Sequence, residues 1–249
     1  GRIVLGLGAG NTQRLQSLNI AQKRPALAIK ECIKVIRGLI AGKAMNFNGS
    51  VIKLKQVKLG FKTRNAIPIY VAGGGPMVLQ AAGEMADGVI IPYLTSPSNL
   101  KYAFKNITIG AEKADRKASD LDIVLWAYTA ISEDGNEART LMKPQIVRQI
   151  MRNKWSLQEI DVPEAIAKPV ISMMEQNGEQ SLLQAAKLIP DALVKHFSLA
   201  GTDNEIIEKI DWLKGRGIKQ ISVLPFPNKG ERPAEVIERF AKQIMPHVK

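Results

Sequence analysis

Three glycines and a proline, Gly73-Gly74-Gly75-Pro76, follow the apolar run Ile69-Tyr70-Val71-Ala72. This order ends a strand and opens a helix, since proline suits a first helical turn. Glycines let a ligand approach the backbone closely and permit unusual φ. Unpaired N–H groups at the helix start, reinforced by its dipole, make an anion site, and a cofactor phosphate is the natural occupant. The other reading is a tight strand-to-helix turn in which the glycines serve geometry only.

A second glycine-rich strand end is Gly6-Leu7-Gly8-Ala9-Gly10-Asn11. Its spacing is that of a weak dinucleotide fingerprint. A Rossmann turn needs a third small residue that opens a helix at once, and an acid about 20 positions on. Here Gln13 to Arg24 is polar and turn-like, and Glu31 lies inside a long helical pattern. NAD is therefore not expected. Close approach of a ring system to this strand end is the better functional reading.

Other reactive residues give no constellation. His196 and His247 lack metal-ligand spacing, so no metal is expected, and His196 is expected on a helix surface or in a loop. No Ser-His-Asp, Gly-x-Ser-x-Gly or P-loop pattern occurs. Glu84 and Asp87 flank a helix end and read as local hydrogen-bonding residues. Cys32 sits on the apolar stripe of Ile29, Ile33 and Ile36 and reads as a buried structural thiol. Trp126, Trp155 and Trp212 read as packing residues. No catalytic residue is assigned.

Composition narrows the partners. The net charge of +12 favours acidic ligands. However, Lys and Arg are scattered and only 5% of residues are aromatic, so nucleic acid is not expected. No apolar run approaches the roughly 18 residues that span a bilayer, so no membrane partner is expected. A single Cys excludes an internal disulfide and suits a reducing cytoplasm.

The elements that must position these residues alternate between strand and helix. Pro25 to Ala41 is a predicted amphipathic helix capped by Gly42. Asn46 to Lys62 reads as an exposed hairpin or loop. Ile67–Ala72, Gly88–Ile91, Asp122–Ile131 and Lys219–Leu224 read as strands, with the opening run from Ile3 as a fifth. Helices are expected after Gly75, from Ser96-Pro97, and from about Pro233 to Met245. Residues 132–217 form several helical segments, one with Ile146, Val147, Ile150 and Met151 on one face. Ser156-x-x-Glu159 and Thr202-x-x-Glu205 read as capping boxes, and Pro169 should kink or end a helix. Such alternation implies an α/β fold with a parallel sheet, a barrel or an open doubly wound sheet.

Five segments together carry a family resemblance: Leu5 to Gly10 (LGLGAG), Ile36 to Gly42 (IRGLIAG) after Arg24-Pro25, Pro68 to Pro76 (PIYVAGGGP), Gly83 to Gly88 (GEMADG) and Phe197 to Thr202 (FSLAGT). In this order they resemble the luciferase-like family of flavin- and deazaflavin-dependent oxidoreductases. Within it, the chain is most similar to the coenzyme F420-dependent branch that includes methylenetetrahydromethanopterin reductase. The resemblance implies a (β/α)8 TIM barrel with its active site at the C-terminal ends of the strands. It implies one barrel domain over 1–249, incomplete at its N-terminus, with only strands four to eight present and a helical insertion at about 132–217. Part of the ring pocket would then lie outside this chain, and the chain alone is expected to be inactive.

The resemblance also implies site residues. Ala9 and Gly10 map beside the deazaflavin ring, with Asn11 where several relatives carry a carboxylate. Gly74, Gly75, Met77 and Val78 map to the cofactor phosphate, and Ala72, Gly73 and Pro76 complete the binding set. Sugar-phosphate dehydrogenases of the family use a Thr and a Lys after the sixth strand. Here Pro92-Tyr93-Leu94-Thr95 stands there, which argues against a sugar phosphate. The implied function is hydride transfer between F420 and an organic substrate such as a pterin-type one-carbon carrier. The alternatives are an FMN-dependent luciferase-like monooxygenase and a non-catalytic flavin-binding homologue. A small-molecule substrate and a homo-oligomer are expected.

Overall fold

The computed structural model describes residues 3–61, 63, 66–92, 95–154, 157 and 160–248. The predicted box Ser156–Glu159, Trp155, Tyr93 and Leu94 lie outside the described residues. The chain divides into two compact units, Gly1–Pro92 with Ala103–Val124, and Tyr93–Tyr102 with Leu125–Lys249.

In the first unit, β1 (Leu5–Gly8) is followed by α1 (Thr12–Ser17) and α2 (Pro25–Ile40). Pro25 opens α2, and Gly42, at φ +76°, lies just past the Ala41 cap, as the sequence predicts. Ile29 and Ile33 are buried on its inner face, while Leu27, Ile36 and Ile40 are half-buried. Cys32 is half-buried rather than buried, because it stands beside the buried stripe rather than on it. Burial, then the Glu31 charge, pushes its thiol up, away from reactivity.

Glu31 is a buried carboxylate on α2, and its role is structural. It accepts the backbone N–H groups of Ser50, Val51 and Ile52 at 2.7, 2.9 and 2.8 Å. These cap the hairpin of β2 (Met45–Asn48) and β3 (Lys53–Val57), an antiparallel pair in the predicted place. The Ile52 N–H, followed by those of Val51 and Ser50, holds the Glu31 carboxyl below its ordinary range against the effect of burial.

β4 (Ile69–Ala72) pairs in parallel with β1 and with β5 (Gly88–Pro92). Between them runs α3 (Pro76–Met85). Glycines set the close approaches here. A Cβ at Gly83 would fall 2.1 Å from the Ile107 carbonyl oxygen, and one at Gly110 would fall 1.9 Å from that of Gln80. So α3 and the latter part of α4 (Pro97–Glu112) touch backbone to backbone. Asp87 accepts the Ile69 N–H at 2.8 Å and an Arg37 N–H at 2.9 Å, the local role expected of it. Glu84 pairs with Lys30.

β6 (Asp122–Ile131) begins in the first unit and continues in the second. There follow α5 (Gly135–Arg152), α6 (Glu164–Asn177), α7 (Leu182–Ala186), α8 (Asp191–Phe197), β7 (Leu199–Gly201) and α9 (Asp203–Lys214), then β8 (Gln220–Pro225) and α10 (Pro233–Arg239). β7 pairs in parallel with β6, and β8 also pairs with β6. Six strands outside the hairpin therefore stand among the described residues, against five in the sequence reading. The additional one, β7, lies inside 132–217 and is three residues long, too short to show a period of two.

α6 does not end at Pro169, one of the two outcomes expected of it, but runs on to Asn177; the proline lies inside the helix and costs it one backbone bond. One further expectation changes. Trp126 is the outward residue of β6, 36% exposed, and not a core residue. The buried face of α5 holds Ile146, Val147 and Ile150 as predicted. Among the described residues no helix is long and apolar enough to cross a membrane.

Candidate cofactor site

Two glycine-rich turns leave neighbouring parallel strands side by side. Gly8 of β1 is in register with Ala72 of β4, so Ala9–Asn11 and Gly73–Gly75 continue from the C-terminal ends of paired strands. Ligand sites in parallel α/β proteins form at this edge.

The first turn is fixed by a side chain with no sequence signature. Gln22 Nε2 donates to the carbonyl oxygens of Ala9 at 2.8 Å and Gly10 at 3.1 Å. Its Oε1 accepts from Thr12 Oγ1 at 2.7 Å. Gly10 has φ +85°, which favours glycine, and a Cβ there would also press on Leu15 Cδ1 at 3.0 Å. Asn11 is the N-cap of α1, its Oδ1 accepting from Arg14 N at 3.0 Å. Its amide nitrogen is what remains for a ligand.

The second turn tests the two readings of the glycine run. None of Gly73, Gly74 and Gly75 has positive φ, so backbone conformation does not demand glycine. Gly73 is needed for packing, since a Cβ would lie 2.6 Å from Val78 Cγ1. At Gly75 a Cβ would meet nothing within 4 Å, which leaves open space beside the helix start. α3 begins without a side-chain cap and without an acid in its first turn. Pro76 has no N–H, so the first-turn donors are those of Met77 and Val78. Met77 is exposed and Val78 half-buried. Open space, donors without a cap and no competing carboxylate suit a phosphate.

Among the described residues no three His, Cys, Asp or Glu side chains gather as metal ligands. His196, expected on a surface or in a loop, is half-buried in the last turn of α8, with Nδ1 buried and without a hydrogen-bond partner among the described residues. Thr95 is buried, donating to the His196 carbonyl at 2.5 Å and accepting from Lys209 Nζ at 2.9 Å, so its polar atoms serve the fold.

In the second unit a charged cluster stands where β7 meets α9. Thr202 and Glu205 form the predicted capping box. Glu205 also receives Arg139 at 2.8 Å and Lys195 at 3.0 Å, while Arg139 reaches Asp191 at 3.2 Å. Burial pushes the Glu205 carboxyl up, but the Thr202 N–H, Lys195 and Arg139 outweigh it and bring it to about 2. Arg139 is 7% exposed, in a helix whose sequence reads as polar. Gly135 and Gly201 clear its space, each placing a would-be Cβ within 2.5 Å of Glu205 Oε2.

Parallel strands with intervening helices, and a glycine-lined, uncapped helix start at their C-terminal edge, define an α/β protein of the kind whose ligand sites form at that edge. Residues 1–220 match the family model described as luciferase-like monooxygenase, and the chain belongs to that family. It is 29% identical over 254 residues to 5,10-methylenetetrahydromethanopterin reductase of Archaeoglobus fulgidus, covering all of this chain and 74% of that one. To the enzyme of the same name from Methanolobus tindarius it is 30% identical over 221 residues, covering 89% and 67%. In fold it is similar to the coenzyme F420-dependent tetrahydromethanopterin reductase of Methanopyrus kandleri. There the TM-score is 0.87 at 22% identity, over all of this chain and 75% of that one.

Proposed function

We propose that this protein is an F420-dependent oxidoreductase that moves a hydride between the deazaflavin and an organic substrate of the pterin-type one-carbon carrier class. The pairing of β1 with β4 carries the reading, because it sets two cofactor-type turns at one edge. The reductase names of relatives at 29% and 30% identity support the substrate class, and the F420 named for the similar Methanopyrus kandleri structure supports the choice of cofactor.

The bound deazaflavin supplies the hydride chemistry, and the protein supplies position and electrostatics. The N–H groups of Met77 and Val78, with Gly73, Gly74 and Gly75 giving backbone access and Pro76 opening the helix, would hold the cofactor phosphate. Ala72 leads into this turn from β4. Ala9, Gly10 and Asn11 would stand beside the ring, with Gln22 keeping the Ala9 and Gly10 carbonyls in place. Asn11 cannot serve as general acid or base, since an amide does not titrate near neutral pH. Hydride transfer to an already activated, iminium-like carbon asks least of that position. We read 1–249 as one domain of (β/α)8 type with 132–217 as its helical insertion; six strands, rather than five, stand outside the hairpin among the described residues.

The experiment is titration of the purified protein with F420 and, separately, FMN, followed by absorbance. Saturable, reversible F420 binding supports the reading. Tight FMN binding with no F420 binding would favour a luciferase-like monooxygenase instead.

A further inference from the structure

A cavity of about 490 Å³ lies in the second unit between the end of α8, strand β7 and one face of α9. Pro97, Leu199, Ala200, Ile206 and Trp212 give it apolar walls. Lys209 is its half-buried cation. The ammonium donates to the Thr95 carbonyl at 2.9 Å and lies 4.5 Å from the Trp212 ring centroid. The Arg216 guanidinium stacks 3.7 Å from the same centroid. Among the described residues no carboxylate pairs with Lys209.

Two carboxylates also line the cavity, and neither neutralises Lys209. Glu205 is engaged by Arg139 and Lys195, and Glu208 is exposed. Burial, then the Arg216 charge, lowers the Lys209 pKa to about 8, so the group is still a cation at neutral pH. A partly desolvated ammonium held only by a neutral carbonyl and a ring gains from an anion beside it.

We propose that this cavity binds a monocarboxylate with an apolar or aromatic body, its charge paired with Lys209 and its body against Trp212 and Ile206. The volume lies in the range of small-molecule sites. A carboxylate fits better than a phosphate, because among the described residues Lys209 is the one lining ammonium not already paired with a carboxylate, Lys195 being held by Glu205, and no arginine lines the space. The α9 N-terminus is closed by its own Thr202–Glu205 box, so it offers no anion nest. This assignment does not rest on the F420 reading.

The probe is phenylacetate, titrated into the whole protein and followed by Trp fluorescence, with Trp212→Phe identifying the reporter. Phenylacetamide is the uncharged control and inorganic phosphate the competitor. The expected result is a saturable change that is lost in Trp212→Phe. Affinity should weaken by about tenfold or more in Lys209→Met and for phenylacetamide, a change of about 1.4 kcal/mol. Lys209→Arg should retain part of it, and phosphate should not compete. No saturable binding, equal binding of phenylacetamide, or displacement by phosphate overturns the proposal. The phenylacetamide comparison on the unaltered protein decides the matter even if the Lys209 variants do not fold.

Discussion

The side-chain amide of Gln22 donates to the carbonyl oxygen of Ala9 at 2.8 Å, across a 13-residue separation. With its bonds to Gly10 and Thr12, this ties the segment before α2 to the turn after β1. Gln22→Ala removes all three. Each bond of this kind is worth about 1 kcal/mol. The expected outcome is F420 affinity weakened by several-fold to about tenfold, with a melting temperature lowered by several degrees. Gln22→Glu should not rescue it, since a carboxylate cannot donate to two carbonyls. Isothermal titration beside thermal unfolding checks this.

The glycine run should separate into two behaviours. Gly75→Ala enters open space at φ −76° and should leave stability nearly unchanged, while its methyl in the space proposed for the phosphate should weaken F420 binding less than an aspartate does. Gly75→Asp and Gly74→Asp place a carboxylate by the proposed phosphate and should weaken F420 binding by about tenfold or more. Gly73→Ala instead presses on Val78 Cγ1 and should lower the melting temperature. If the aspartates bind F420 like the unaltered protein, the phosphate assignment is wrong.

How far the sequence reached depended on how local each signal was. Pro25 and Gly42 bracket α2 because both act on the backbone of their own turn. Thr202 and Glu205 are three residues apart, so their box was legible. β7 was not, since three residues between Ser198 and Thr202 carry no pattern and the strand exists only by pairing with β6. Gln22, Glu31 and Arg139 were missed for a related reason. The partners of Gln22 lie 10 to 13 residues away, those of Glu31 19 to 21, and the carboxylates that hold Arg139 52 and 66, and each stands in a local context ordinary for its type. The glycines at the two turns were found as a pattern, but only the coordinates separate Gly73, fixed by packing, from Gly75, which faces space.

Asn11 is expected to position groups and not to move protons. Asn11→Ala removes the α1 cap, a local loss of about 1 kcal/mol. Turnover should fall while the pKa values of its pH profile stay in place. A titration step that vanishes in Asn11→Ala, with cofactor binding unchanged, would assign the proton to this residue.

Acid stability should report the Glu205 cluster. The folded carboxyl sits near 2 and an unfolded one near 4.5. As pH falls, the unfolded chain takes up the proton first, so the stabilisation is complete above about 4.5 and drains away towards about 2. Glu205→Gln should lower the urea midpoint at neutral pH and flatten its dependence across that window. An unchanged slope in the variant would show that Arg139 and Lys195 contribute nothing through this carboxylate.

The most direct measurement of the central claim mixes the full-length protein anaerobically with reduced F420 and 5,10-methylenetetrahydromethanopterin and follows the visible absorbance of oxidised F420. The expected result is a saturable rise that requires protein and both reactants, and that slows in Gly75→Asp. No rise with F420, together with protein-dependent oxidation of reduced FMN by oxygen, would contradict F420-dependent hydride transfer and identify the protein as a flavin monooxygenase.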